Sequence, residues 1–191
     1  MNHLVRRENE AGAAILTLNR PEKLNALSKD VFEALDDHLD TIAREIRTIG
    51  LVILRGAGGH FSSGYDMREV LDHVKAHAKP HFHSEVIQKL ANLPQPVISA
   101  VQGHCSTGAM ELALAADLIV ASESAKFSDV YARWGLTPVW GLSFRLPHRI
   151  GAAKASEMMF TSRSYSGRQA EAMHLANFCF ADDSSRPSFR N

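Results

Sequence analysis

The sequence predicts an α/β fold with a largely parallel sheet. Three observations carry that expectation: short β-branched apolar runs recur along the chain, helix-period patterns separate them, and glycine turns close several of them. "AAILTLN" (13–19) alternates like a strand and is stopped by the proline of "RPEKLNALS". Ser28 then opens an amphipathic helix to about Arg47, with Val31, Leu35, Leu39, Ile42 and Ile46 on one face. "GLVILRG" (50–56) has the look of a buried parallel strand, and "GAGGHFSSGYD" (56–66) is a glycine-rich loop. A mixed helical region broken at Pro80 runs to about Asn92.

"PVISAVQG" (96–103) reads as a second buried strand, "AMELALAAD" as a helix and "LIVAS" (118–122) as a third strand. The stretch "GLTPVWGLSFRLPHRIG" is loop then helix, and "AAKASEMMF" is another helix. A further helix starts at Ser166, and "FCFADD" reads as a last strand. The pattern is lost in "SSRPSFRN".

With 191 residues the chain is long enough for a substantial core. Its 45% hydrophobic and 22% charged content is that of an ordinary globular protein. Lys plus Arg (21) cancels Asp plus Glu (21) with no basic stripe, which argues against a nucleic-acid partner. No apolar run approaches the ~18 residues that span a bilayer, so no membrane role is expected. Cys105 and Cys179 stand far apart, as reduced thiols of a cytoplasmic protein do.

Two glycine turns each follow an apolar strand: "SSGYD" after "LVILRG" and "HCSTGAM" after "PVISAVQG". If they converged, two backbone N–H groups would form an oxyanion hole, each donor worth about 3 kcal/mol on a developing anion. Spacing alone equally permits two tight turns on a scaffold. Neither is a GxGxxG or a GxxxxGK[ST] loop, so nucleotide phosphates are disfavoured. Glu111 lies on the first turn of the following helix, where either the helix dipole or proton transfer would place a carboxylate.

Ser106 in "HCSTG" lacks the glycine two residues earlier that a nucleophile elbow requires, because His104 stands there. A serine-hydrolase triad would need Asp117 or Asp129 with His148 or His174. Ser106 is read instead as a bystander that caps the helix. In "HVKAHAKPHFH", His73 and His77 share a helix face, but Pro80 interrupts the series before His81 and His83 and no acid stands at ligand spacing. A solvated helix is expected there, and no metal. His60 and His104 flank the two glycine turns, and Cys105 reads as a small apolar filler.

Four stretches, "LNRPEKLNALS", "HFSSGYDM", "PQPVISAVQGHCSTGAMELALAADLIVAS" and "AKF…GLTPVWGLSFRLPHRIGAAKA", appear in the order and near the spacing of the crotonase superfamily, which the chain resembles. This is the enoyl-CoA hydratase/isomerase group. The resemblance implies a crotonase-like spiral of ββα repeats over residues 1–165. Residues 166–191 would begin a C-terminal helical region that is largely missing. It also implies an acyl-CoA thioester substrate, with coenzyme A entering only as part of it and no separate cofactor. A homotrimer or hexamer is implied if the short end allows.

By the same resemblance the oxyanion N–H groups fall on Tyr65 and Gly108, and the catalytic acid/base on Glu111. Coenzyme A contacts fall on Lys23, Leu24, Ala26, Ser63, Tyr65, Asp66 and Gly108. Relatives carry a second glutamate after "AKF"; here the position holds Tyr131, preceded by Asp129 and Val130. That departure leaves open decarboxylase, isomerase or thioesterase variants, and a non-catalytic acyl-CoA-binding protein. Tyr131 is a candidate catalytic residue as a hydrogen-bond donor to water or substrate, or else an aromatic wall. The wall is the expected role, since a phenol of pKa ~10 is a poor base. Arg133, Trp134 and Trp140 are candidates to shape the acyl pocket, with Trp134 expected to pack in the core.

Overall fold

The computed structural model describes residues 3–69 and 81–182. Strands β1 (Val5–Glu10) and β2 (Ala13–Leu18) form an antiparallel hairpin in register Val5↔Leu18 to Glu10↔Ala13. Its two-residue turn, Ala11 and Gly12, takes positive φ at both positions (49° and 79°), which matches the twist of the strands it joins. Helix α1 (Lys29–Arg44) is capped by Ser28, whose Oγ accepts from the Val31 N–H at 3.3 Å. It ends at Arg44 rather than Arg47. Ile46 is left 58% exposed, because the chain turns at Glu45 and the 3.6-residue face is not continued.

The chain continues through β3 (Leu51–Gly56), α2 (Phe82–Ala91), β4 (Val97–Val101), β5 (His104–Ser106) and α3 (Gly108–Ala113). Then follow β6 (Leu118–Ser122), β7 (Lys126–Ser128), α4 (Leu142–Ile150), α5 (Ala152–Thr161), β8 (Ser164–Ser166), α6 (Gly167–Ala172) and β9 (Phe178–Phe180). Six strands make one sheet in the order β1-β2-β3-β4-β6-β9, parallel from β2 onward. A small second sheet has the order β5-β7-β8.

Successive segments therefore repeat one path: a strand in the large sheet, a short strand in the small sheet, then helix. β4-β5-α3 is one turn of this spiral, and β6-β7-α4 the next. The expected α/β class with a parallel sheet is observed. The short strands β5, β7 and β8, three residues each, carried no periodicity from which they could be read.

The core lies between the large sheet and its helices. Leu16, Leu18, Val52 and Leu54 from the sheet, and Phe32, Leu35, Leu39 and Ile42 from α1, are all at most 1% exposed. Each such burial contributes about 1.5–3 kcal/mol. Among the described residues no helix is long and apolar enough to cross a membrane.

Candidate active site

The segment after β2 runs beside the first glycine loop because Asn25 ties them. Its Oδ1 accepts from Arg20 N–H at 2.9 Å, and its Nδ2 donates to Ala57 O at 2.8 Å and His60 O at 2.7 Å. Leu24 and Asn25 take the left-handed conformation (φ 50° and 54°), which an asparagine tolerates and which this knot stabilises at Leu24. Ser63 N–H donates to Leu24 O, Leu27 N–H to Gly64 O, and Asp66 N–H to Leu27 O, at 2.7–2.9 Å. The structure thus brings Lys23, Leu24, Ala26, Ser63, Tyr65 and Asp66 onto adjoining strands of loop.

Arg20 Nη2 lies 3.1 Å from Asp66 Oδ2, with Lys23 Nζ at 3.8 Å. Burial alone would raise Asp66, but the Arg68 N–H and the Arg20 and Lys23 charges hold its carboxyl below the usual range.

The two glycine turns meet. Ser62 N–H donates to His104 O at 2.9 Å, and Ser106 N–H to Ser62 O at 3.3 Å, forming a parallel bridge between Ser62 and Cys105. Gly64, at φ +103°, packs so closely that a Cβ there would lie 2.2 Å from Thr107 Oγ1 and 3.6 Å from Gly108 N. Gly103, at φ +51°, similarly admits His60, whose Nδ1 accepts from His104 N–H at 3.2 Å. Gly108 is the first residue of α3, so its N–H has no acceptor within that helix.

Ser106 does not cap α3. It ends β5, its hydroxyl pairs with Ser128 Oγ at 2.9 Å, and Thr107 takes the cap position. Lateral pairing of β5 with β7 decides this, and the same pairing leaves Ser106 against a serine rather than a histidine.

Glu111 has no exposed surface. Its Oε1 accepts from the Trp140 N–H at 2.7 Å and the Leu142 N–H at 3.2 Å. Its Oε2 accepts from the Tyr131 hydroxyl at 2.7 Å. Burial raises its pKa, opposed by the bonds from Tyr131, Leu142 and Trp140, and the charge of Asp129 adds to the rise.

Tyr131 is therefore more than the expected aromatic wall: its phenol points at the carboxylate. Burial and then the Glu111 charge push the phenol well up, so it remains a donor. Asp129, 1% exposed, accepts the Tyr131 N–H at 2.9 Å and is itself raised by burial.

Aromatic rings close the site. Trp140, 7% exposed, has its indole 5.1 Å from the Phe32 ring, 5.2 Å from Tyr65 and 5.4 Å from His83, centroid to centroid. His83, 4% exposed on α2, is not on a solvated face as expected; it faces inward between Phe32 and Tyr65. His73 and His77 lie outside the described residues. Trp134 is 64% exposed rather than in the core, on a short turn (Tyr131–Trp134) that Gly135 ends at φ +62°. Arg133 Nη2 donates to Ser162 O at 2.9 Å. Cys105 is wholly buried beside Ser62, and burial raises its thiol, as a filler's would be.

Comparison with known proteins gives the class. The enoyl-CoA hydratase/isomerase family model matches residues 8–185, and the chain belongs to that family. A probable enoyl-CoA hydratase of Mycobacterium bovis is 40% identical over 174 residues, covering 86% of this chain and 61% of the relative. A probable peroxisomal enoyl-CoA hydratase of Arabidopsis thaliana is 35% identical over 171 residues, covering 90% and 64%. The chain thus spans about three-fifths of the length of these relatives. The crystal structure of an enoyl-CoA hydratase/carnithine racemase from Magnetospirillum magneticum superposes with a TM-score of 0.86 at 30% identity, covering 94% of this chain and 69% of that one. The fold is the crotonase type that the sequence resembles.

Proposed function

We propose that this chain is an acyl-CoA enzyme of the enoyl-CoA hydratase/isomerase type. The thioester carbonyl would sit between the N–H groups of Tyr65 and Gly108, which would share the charge of an enolate, and Glu111 would move the proton. The observation that carries this reading is the contact between the two glycine turns, where a Cβ on Gly64 would lie 3.6 Å from Gly108 N. Donors fixed in place before charge develops need no reorganisation, which is what makes such a site effective.

A buried carboxyl with a raised pKa suits proton exchange near neutral pH. Tyr131 keeps its own proton and holds Glu111 Oε2, so one carboxylate would both take and return the proton beside the thioester. Coenzyme A would lie along Lys23, Leu24, Ala26, Ser63 and Asp66. Lys23 offers it a half-exposed cation, with a side chain 46% exposed.

A second reading, a non-catalytic acyl-CoA-binding protein, is favoured by one observation: three donors already occupy a Glu111 carboxyl that has no exposed surface. Turnover of a panel of enoyl-CoA thioesters by the purified chain, with Glu111→Gln beside it, separates the two. Turnover lost on substitution supports the enzyme, and equal turnover removes Glu111 from the chemistry. Binding without any turnover supports the second reading.

A further inference from the structure

We propose that Trp140 sets the acyl-chain limit of this site, its indole filling the space beside Gly108 that a longer chain would need. The inference rests on the acyl-CoA reading above and deepens it. The indole lies directly on the Cα of Gly108: a Cβ there would be 2.5 Å from Cζ3 and 3.2 Å from Cε3. Behind the indole stand Phe32 and His83, 1% and 4% exposed, with Tyr65 edge-on at an interplanar angle of 88°. Apolar chain carbons passing Gly108 would meet this wall at once, in a packed interior without slack.

The same residue is fixed from both ends of its peptide. The Trp140 N–H donates to Glu111 Oε1 at 2.7 Å, and its carbonyl accepts from Arg145 Nη1 at 2.8 Å. Arg145 in turn reaches Gln88 Oε1 on α2 at 3.1 Å. Next to it, Gly141 at φ +111° brings the backbone against that guanidinium, where a Cβ would sit 2.2 Å from Nη1. Shape discrimination and carboxylate positioning therefore share one residue: the backbone holds the acid while the ring bounds the substrate. Enlarging the pocket at the ring leaves the two backbone bonds in place.

The test is calorimetric binding of free coenzyme A, crotonyl-CoA and decenoyl-CoA to the full chain, to Trp140→Ala and to Trp140→Leu, with circular dichroism reporting whether each variant folds. The expected result is a wild-type preference for crotonyl-CoA of about tenfold or more over decenoyl-CoA. That preference should fall or invert by about tenfold in Trp140→Ala and shift partway in Trp140→Leu, with free coenzyme A bound equally by all three. Equal wild-type affinity for the two thioesters, or a preference that folded Trp140→Leu and Trp140→Ala leave unchanged, overturns the inference while the acyl-CoA reading stands. Failure of the wild-type chain to bind any of the three compounds overturns that reading, and the inference with it.

Discussion

The Tyr131 hydroxyl donates to Glu111 Oε2 at 2.7 Å, and twenty residues of chain, two strands and a turn separate the two. A donor at this distance stabilises the charged carboxylate over the acid, which is why this bond holds the raised pKa of Glu111 down. Removing the hydroxyl takes that restraint away. Tyr131→Phe should push the Glu111 pKa higher still and, on the role proposed for Glu111, move the limb of the pH–rate profile that reports its deprotonation to higher pH. Its stability cost should be about 1–3 kcal/mol. A profile superimposable on the wild type would show that the phenol does not tune the acid.

Stability should also report the carboxyl directly. Glu111 is raised in the fold above its ordinary 4.5, so the folded state holds its proton to higher pH than the unfolded chain. Its contribution is therefore greatest at acid pH and is lost as pH rises from the ordinary value through the folded one. Glu111→Gln should flatten that fall, so that urea midpoints measured at about pH 5 and about pH 8 differ less than in the wild type. Asp129, raised in the same direction, keeps a residual slope.

His104 should give a slope of opposite sign. Burial, then the neighbouring His60 and Lys126, lower its pKa below the ordinary 6.5. The unfolded chain therefore takes up the proton first, and stability is lost as pH falls below 6.5 toward the folded value. His104→Asn should remove this acid-side loss, read from thermal midpoints across that window. An unchanged acid limb would place the titration elsewhere.

The meeting of the glycine turns is open to a one-atom test. At Gly64 an added methyl meets Thr107 Oγ1 at 2.2 Å and Ser106 O at 2.7 Å, on a backbone at φ +103°. Gly64→Ala should cost roughly 2–4 kcal/mol from strain and overpacking together and, on the acyl-CoA reading proposed above, abolish thioester binding. Gly50→Ala, where a Cβ meets nothing within 4 Å, should change stability by less than about 0.5 kcal/mol. Chemical denaturation of both variants decides whether the turns are in contact in solution.

Much of the scaffold was legible because it is periodic. The runs at 51–56 and 118–122 are parallel strands of the large sheet, as their apolar residues suggest, but only alternate residues are buried. Val52 and Leu54 face the core, as do Ile119 and Ala121, while Arg55 and Leu118 are exposed. Ser28 opens α1 as its side chain predicts, and Ser166 opens α6 with a full capping box to Gln169. Glu111 stood out because one acid sat inside an apolar pattern that a buried helix demands.

By itself, then, the sequence determined the α/β class, the principal strands and helices, the two glycine turns and the lone acid, all of which follow from local spacing. Only the tertiary structure decided what that acid touches: Tyr131, Trp140 and Leu142 lie twenty to thirty-one residues away and reach it through sheet pairing and helix packing. It alone placed Trp134 outside and His83 inside, and gave Ser106 a serine for a partner. Periodicity says which face of an element is buried, but a hydrogen-bond partner or a neighbouring ring comes from another element, whose approach is set by the packing of the whole chain.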